Sequence, residues 1–156
     1  MYLSMSKLLR DPVNVEIARL LIAEPRIATS ALARRIGMSA PAARERVQRL
    51  EEAGVLVGYR TLIDPAALGY PITIFIRVRP MPGRLQQIGA LASEISNVVE
   101  CHRITGEDCF IIKAHLASLD DLDGLLDRFL VYGETTTSIA QSCPVPARQL
   151  PLPDLM

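Results

Sequence analysis

Residues 26–52 read RIATSALARRIGMSAPAARERVQRLEE. The pattern is that of two short helices joined by a tight turn. Thr29 is placed to cap the first, which carries Leu32, Ala33 and Ile36. Gly37 sits where a helix needs a left-handed residue to stop. Ser39 caps the second, Pro41 lies near its start, and Ala43, Val47 and Leu50 form its inward stripe; Ala53 closes it and Gly54 ends it. The stretch holds six arginines (26, 34, 35, 44, 46 and 49) against three glutamates, and Glu45 is the only acid before Glu51. Positive charge is thus gathered on one small helical unit.

Working outward, Asp11 is a plausible N-cap and Pro12 suits a first helical position, which predicts a helix over Pro12–Ala23 ended by Pro25. On the other side, Val55–Leu62 (VLVGYRTL) is a β-like run interrupted by Gly58. Three helices followed by such a run read as a winged helix-turn-helix, which lays its last helix in a DNA groove. The early residues of that helix reach bases and flanking arginines meet phosphates. Ser39, Ala42, Arg44 and Gln48 are therefore expected near bases, on a surface that also includes Ala40, Pro41 and Glu45. Arg34, Arg35, Arg46 and Arg49 are expected at phosphates. Arg46 has a competing role, pairing with Glu51 or Glu45 to hold the helix in place.

The 156 residues carry no formal net charge, yet the balance is uneven. Residues 1–64 hold ten Lys/Arg against seven Asp/Glu, and residues 65–156 hold seven against ten. The basic half is where a polyanion would go. A hydrophobic fraction of 49% supports a real core. No apolar run reaches membrane-spanning length, and the N-terminal residues lack the apolar core of a signal peptide. Cys101, Cys109 and Cys143 suit reduced thiols in a cytoplasm better than a disulfide framework.

Composition shifts to β-branched runs between Asp64 and Pro71. Beyond it, the pattern predicts a strand over 72–79, a helix marked by Leu85, Ile88, Ala92 and Ile95, and a strand over 98–105. A turn at Gly106-Glu107-Asp108 leads to a strand over 109–116. A helix then carries Leu119, Leu122, Leu126 and Phe129, with Ser118 and Asp121 resembling a capping box. The last strand spans 135–143. The order βαββαβ is a ferredoxin-like unit, so the fold class is α+β. The expected domains are a winged helix-turn-helix over 1–64, a linker over 65–71, the ferredoxin-like unit over 72–145, and a proline-rich tail over 146–156, extended rather than packed. Ile72, Ile74, Ile76 and Val78 share one sheet face. Thr73, Phe75, Cys109 and Ile111 lie on the other, where Phe75 and Ile111 need cover, for which a second copy of the sheet is the economical source.

The segment GMSAPAARERVQRLEEAGVLVGY (37–59), followed by IDPAALG (63–69) and the βαββαβ unit, resembles the Lrp/AsnC regulators. The resemblance runs from about residue 8 to residue 143. It implies a bacterial or archaeal transcription factor with a ferredoxin-like domain of the RAM/ACT kind. It also implies dimers that often assemble into octamers, a response to an amino acid, and residues 72–145 as the effector-binding and oligomerisation domain. In that family, the turn between the second and third sheet strands carries a Gly-acid-x-Asp-aromatic pattern near the effector pocket. Here it reads Gly106-Glu107-Asp108-Cys109-Phe110, with Cys109 at the usual aspartate position. An amino acid needs acceptors for its ammonium and donors for its carboxylate. Glu107 or Asp108 could supply the first, and N–H groups near Gly106 or the hydroxyls of Thr135, Thr137 and Ser138 the second.

Cys101, His102, Cys109, His115 and Cys143 do not form a closed metal site, because adjacent strand residues point to opposite faces and Cys-x₂-Cys is missing. No cofactor motif, phosphate loop or catalytic constellation is visible. An amino-acid-binding sensor or assembly module working through protein contacts remains the alternative to a DNA reader.

Overall fold

A computed structural model describes residues 6–154 of the chain. It resolves into two compact units, one running to Thr61 with the segment from Val145 added, the other Leu62–Pro144.

The first unit opens with a single 3-10 turn at Lys7–Arg10 and then α1 (Pro12–Ala23), α2 (Thr29–Arg35) and α3 (Ala40–Glu52). Asp11 caps α1, accepting from the Val13 N–H at 2.9 Å, and Pro12 occupies the first turn, where no N–H is needed. Ser39 caps α3, accepting from the Ala42 N–H at 3.4 Å. Thr29 does not cap α2. Ala28 holds that position without a side-chain bond, because its carbonyl already accepts from Ala31 and Leu32 and draws Thr29 into the helix. Gly37 (φ +68°) turns the chain between α2 and α3, and Met38 N–H closes the turn on the Ala33 carbonyl at 2.9 Å. Ile17, Leu32 and Leu50 form the buried centre of the unit, and Val47 packs against it.

Val55–Leu62 contains no strand. A β-ladder needs a neighbouring backbone, and none of the described strands pairs with this run. Val55 and Leu56 pack against the helical core, but Val57 is 92% exposed and Leu62 77%, so the rest of the run buries little apolar surface within one chain. The Tyr59 hydroxyl lies 3.1 Å from a Glu51 carboxylate oxygen; burial and that carboxylate raise its pKa.

The second unit runs β1 (Ile72–Pro80), α4 (Leu85–Glu94), β2 (Val98–Arg103), β3 (Phe110–Leu116), α5 (Asp121–Leu130) and β4 (Gly133–Ile139). The four strands are antiparallel in the order β2-β3-β1-β4, the ferredoxin-like arrangement. Ile74, Ile76 and Val78 are buried with Phe110, Ile112, Ala114 and Leu116 against Ile88, Ala92, Leu125 and Phe129. Three details differ from expectation. Leu125 takes the buried place assigned to Leu119, which is 53% exposed because it precedes the helix, in a turn. Asp121 accepts from the Ser118 N–H at 3.0 Å, one half of a capping box, but the helix starts only at Asp121. β4 begins at Gly133 and ends at Ile139, where its pairing with β1 runs out. The tail as far as Asp154 has no helix or strand, yet it groups with the helical unit and Leu152 and Pro153 are half-buried, so it is not free of packing.

Candidate DNA interface and effector turn

α3 presents Ala40, Pro41, Arg44, Glu45 and Gln48 along one shallow surface depression. Their spacing puts them on a single helical face opposite buried Ala43 and Leu50. Ser39 is exposed at the cap, while Ala42 is half-buried beside the core stripe. Arg34 and Arg44 are exposed and form no ion pair among the described residues. The other polar side chains hold one another. Arg49 donates to Glu45 at 2.5 Å, Gln48 to Glu52 at 2.7 Å, and Arg35 to Glu24 at 2.6 Å. These pairs are exposed, so each contributes a few tenths of a kcal/mol at most and yields readily to a phosphate.

Arg46 lies differently. Its guanidinium donates to Asp11 at 2.6 Å and to the Asn14 side-chain oxygen at 2.9 Å, while the buried Asn14 amide donates to the Leu8 carbonyl at 3.0 Å. Neither Glu45 nor Glu51 is its partner. It ties α3 to the capped end of α1. The hydrogen bond from Arg46 is the main cause of a lowered Asp11 pKa, outweighing the opposing effect of burial. A lowered folded-state pKa stabilises the fold above the unfolded value and is lost as pH falls through the folded one. Arg46→Ala should cost about 1–2 kcal/mol at pH 7. The gap between its thermal midpoint and that of the parent should narrow below about pH 4, where Asp11 begins to protonate; a gap constant down to pH 2 would exclude the pair as its source.

At the β2–β3 turn, the expected effector residues separate into two groups. Glu107 and Asp108 meet arginines of β1. Arg79 donates to Glu107 at 2.6 Å and lies 3.8 Å from Asp108 and 3.9 Å from Glu134, and Arg77 lies 3.8 Å from Asp108. Cys109 instead packs against the core, its thiol 3.7 Å from the carbonyl oxygens of Gly106 and Glu107. Adjacent residues point to opposite sides here, so Asp108 does not occupy the side taken by Cys109.

On β4, Ser138 pairs with Phe75 and Thr136 with Arg77, on the helix-free face. Thr137 pairs with Ile76 and so points, with Thr135, toward the helices. The Thr137 hydroxyl is buried without a hydrogen-bond partner. Thr135 and Thr137 therefore do not join Ser138, Glu107 and Asp108 in one site. The alternation of Phe75, Arg77 and Arg79 marks the arginines' face, but pairing them with the turn required the strand order. Asp11 and Asn14 as partners of Arg46 carried no sequence signal. Among the described residues, no group of three or more His, Cys, Asp or Glu side chains could hold a metal ion. No helix there is long and apolar enough to cross a membrane.

A helix-turn-helix with a cationic reading face, joined to a ferredoxin-like sheet, defines a two-part DNA-binding regulator. Residues 10–57 match the family model for winged helix-turn-helix DNA-binding, and residues 73–150 match that for the Lrp/AsnC ligand binding domain. The HTH-type transcriptional regulator LrpA of Mycobacterium tuberculosis is 34% identical over 119 residues, covering 76% of this chain and 79% of that protein. A crystal structure of the LrpA protein of M. tuberculosis superposes with a TM-score of 0.79 at 31% identity, covering 92% of this chain and 99% of that one. A transcriptional regulator from Neisseria meningitidis in complex with L-Met shares the fold, with a TM-score of 0.83 at 21% identity over 91% of this chain and 96% of that one. The chain belongs to the Lrp/AsnC family and is a DNA-binding transcriptional regulator.

Proposed function

We propose that this regulator binds double-stranded DNA as a symmetric homodimer, each copy laying α3 in a major groove. The observation that carries the reading is the α3 face itself, where Arg44, Glu45 and Gln48 stand together beside a capped helix start. Arg34, Arg35 and Arg49 flank it as phosphate contacts, and Arg46 positions α3 through α1. One such head makes few contacts, so pairing by the sheet is needed for specific affinity. The helix-free face suits that pairing, because Phe75 is 36% exposed there and Ile111 is half-buried. Further assembly to an octamer is compatible with the family resemblance. The ligand is an amino acid, with Glu107 or Asp108 receiving its ammonium; Arg77 and Arg79 compete for those acids and also offer donors to its carboxylate.

A gel-shift titration over salt tests this. A dimer neutralising about six to eight phosphates gives a log–log slope of roughly −5 to −7. Arg49→Ala should weaken binding to all sequences alike and flatten the slope by about two per dimer. Salt-insensitive retention would instead favour a sensor acting through protein contacts. Repeating the titration with each of the twenty amino acids identifies the effector, and no change across the panel would remove the ligand response.

A further inference from the structure

The acid on the reading face stands out, because a carboxylate facing DNA repels phosphates and weakens binding to every sequence unless it meets a donor. Glu45 occupies the same depression as Arg44 and Gln48, one residue from Arg44 and three from Gln48. In the free protein its charge is met by Arg49 at 2.5 Å, with both side chains about two-thirds exposed. We infer that Glu45 is a specificity-determining residue that reads a cytosine in each half-site, an inference that rests on the DNA-reading role proposed above.

An ionised carboxylate only accepts hydrogen bonds. In the major groove its preferred partner is the cytosine N4 amino group, whereas the oxygen and nitrogen acceptors of guanine and the O4 of thymine repel it. Arg44, a pure donor without an ion pair among the described residues, has the complementary preference for guanine O6 and N7. Two neighbouring side chains of opposite polarity therefore ask for a guanine and a cytosine close together. On binding, Arg49 exchanges Glu45 for a phosphate and Glu45 exchanges Arg49 for the cytosine amino group. The exchange is nearly neutral at the cognate sequence. At guanine or thymine, Glu45 loses Arg49 and gains nothing, and at adenine the N7 acceptor beside the N6 amino group repels the carboxylate, so the pair also suppresses non-specific binding.

The test is selection of binding sites from randomised duplexes with the full-length parent, Glu45→Gln and Glu45→Ala, followed by competition titrations on single-base variants of the selected site. The parent should favour cytosine at one position per half-site by about tenfold, the ordinary cost of one mismatched pair. Glu45→Ala should erase that preference while binding unselected duplex more tightly. Glu45→Gln, which can also donate, should shift the position toward adenine. Arg49→Ala should lower affinity uniformly and leave the preference intact. Unchanged base profiles in both Glu45 variants would overturn the inference and reduce Glu45 to a clamp on Arg49. A parent protein that selects no sequence and shows no salt-sensitive binding would instead overturn the DNA-reading role, and this inference with it.

Discussion

Gly133→Ala is expected to unfold the C-terminal sheet unit at temperatures the parent withstands. Gly133 is buried at the start of β4, opposite Pro80 in the β1–β4 pair. A Cβ built there lies 2.3 Å from the Arg79 carbonyl oxygen, 2.9 Å from its carbon and 3.0 Å from the Pro80 Cα. All three are backbone atoms of a central strand, so no side chain can swing away. The ladder must open, and the neighbouring Met81 N–H bond to the Tyr132 carbonyl at 2.9 Å opens with it. A cost of about 3 kcal/mol follows from overpacking against fixed backbone, which lowers the midpoint of a domain this size by roughly 10–20 °C. Gly124→Ala in α5 is the control, because nothing lies within 4 Å of its added Cβ. Removing a helical glycine should stabilise by up to about 1 kcal/mol. Calorimetry on both variants decides, and a Gly133→Ala midpoint at the parent value would contradict the close approach.

Leu50→Ala should abolish DNA binding while leaving the sheet unit folded. Leu50 is fully buried and is one of three residues, with Ile17 and Leu32, at the centre of the helical unit. Truncation of a buried leucine costs about 2–5 kcal/mol, and a core of this size supplies only about 3–5 kcal/mol. The helical unit would then be largely unfolded at 25 °C. Because Leu50 holds the inner side of α3, its loss releases Arg44, Glu45 and Gln48 from their common face. Denaturant unfolding followed by both far-ultraviolet dichroism and DNA affinity reads the outcome. Full affinity in Leu50→Ala would show that α3 does not depend on this core.

The helical unit was legible because its signals are local. Asp11, Pro12, Gly37 and Ser39 each act on the backbone within a turn or so of themselves, and the structure places all four in the expected roles. The sheet order was legible because period-two burial and turn residues leave few ways to connect βαββαβ. The run 55–62 misled for the same reason: its composition favours a strand, but a strand exists only where another backbone accepts its hydrogen bonds. Thr135, Thr137 and Ser138 read as one hydroxyl cluster, whereas the pleat sends Ser138 to the opposite face.

The amino-acid sequence by itself determined the limits of α1 and α3, the cationic reading face and the two-layer α+β class, since these follow from caps, periodicity and charge placed close together along the chain. Only the tertiary structure decided which arginines are occupied. Arg46 finds Asp11 from 35 residues away, and Arg79 finds Glu107 from 28. Ion pairs across such separations depend on how elements pack, and packing is governed by the buried apolar surfaces, which say nothing locally about the charges carried to their edges.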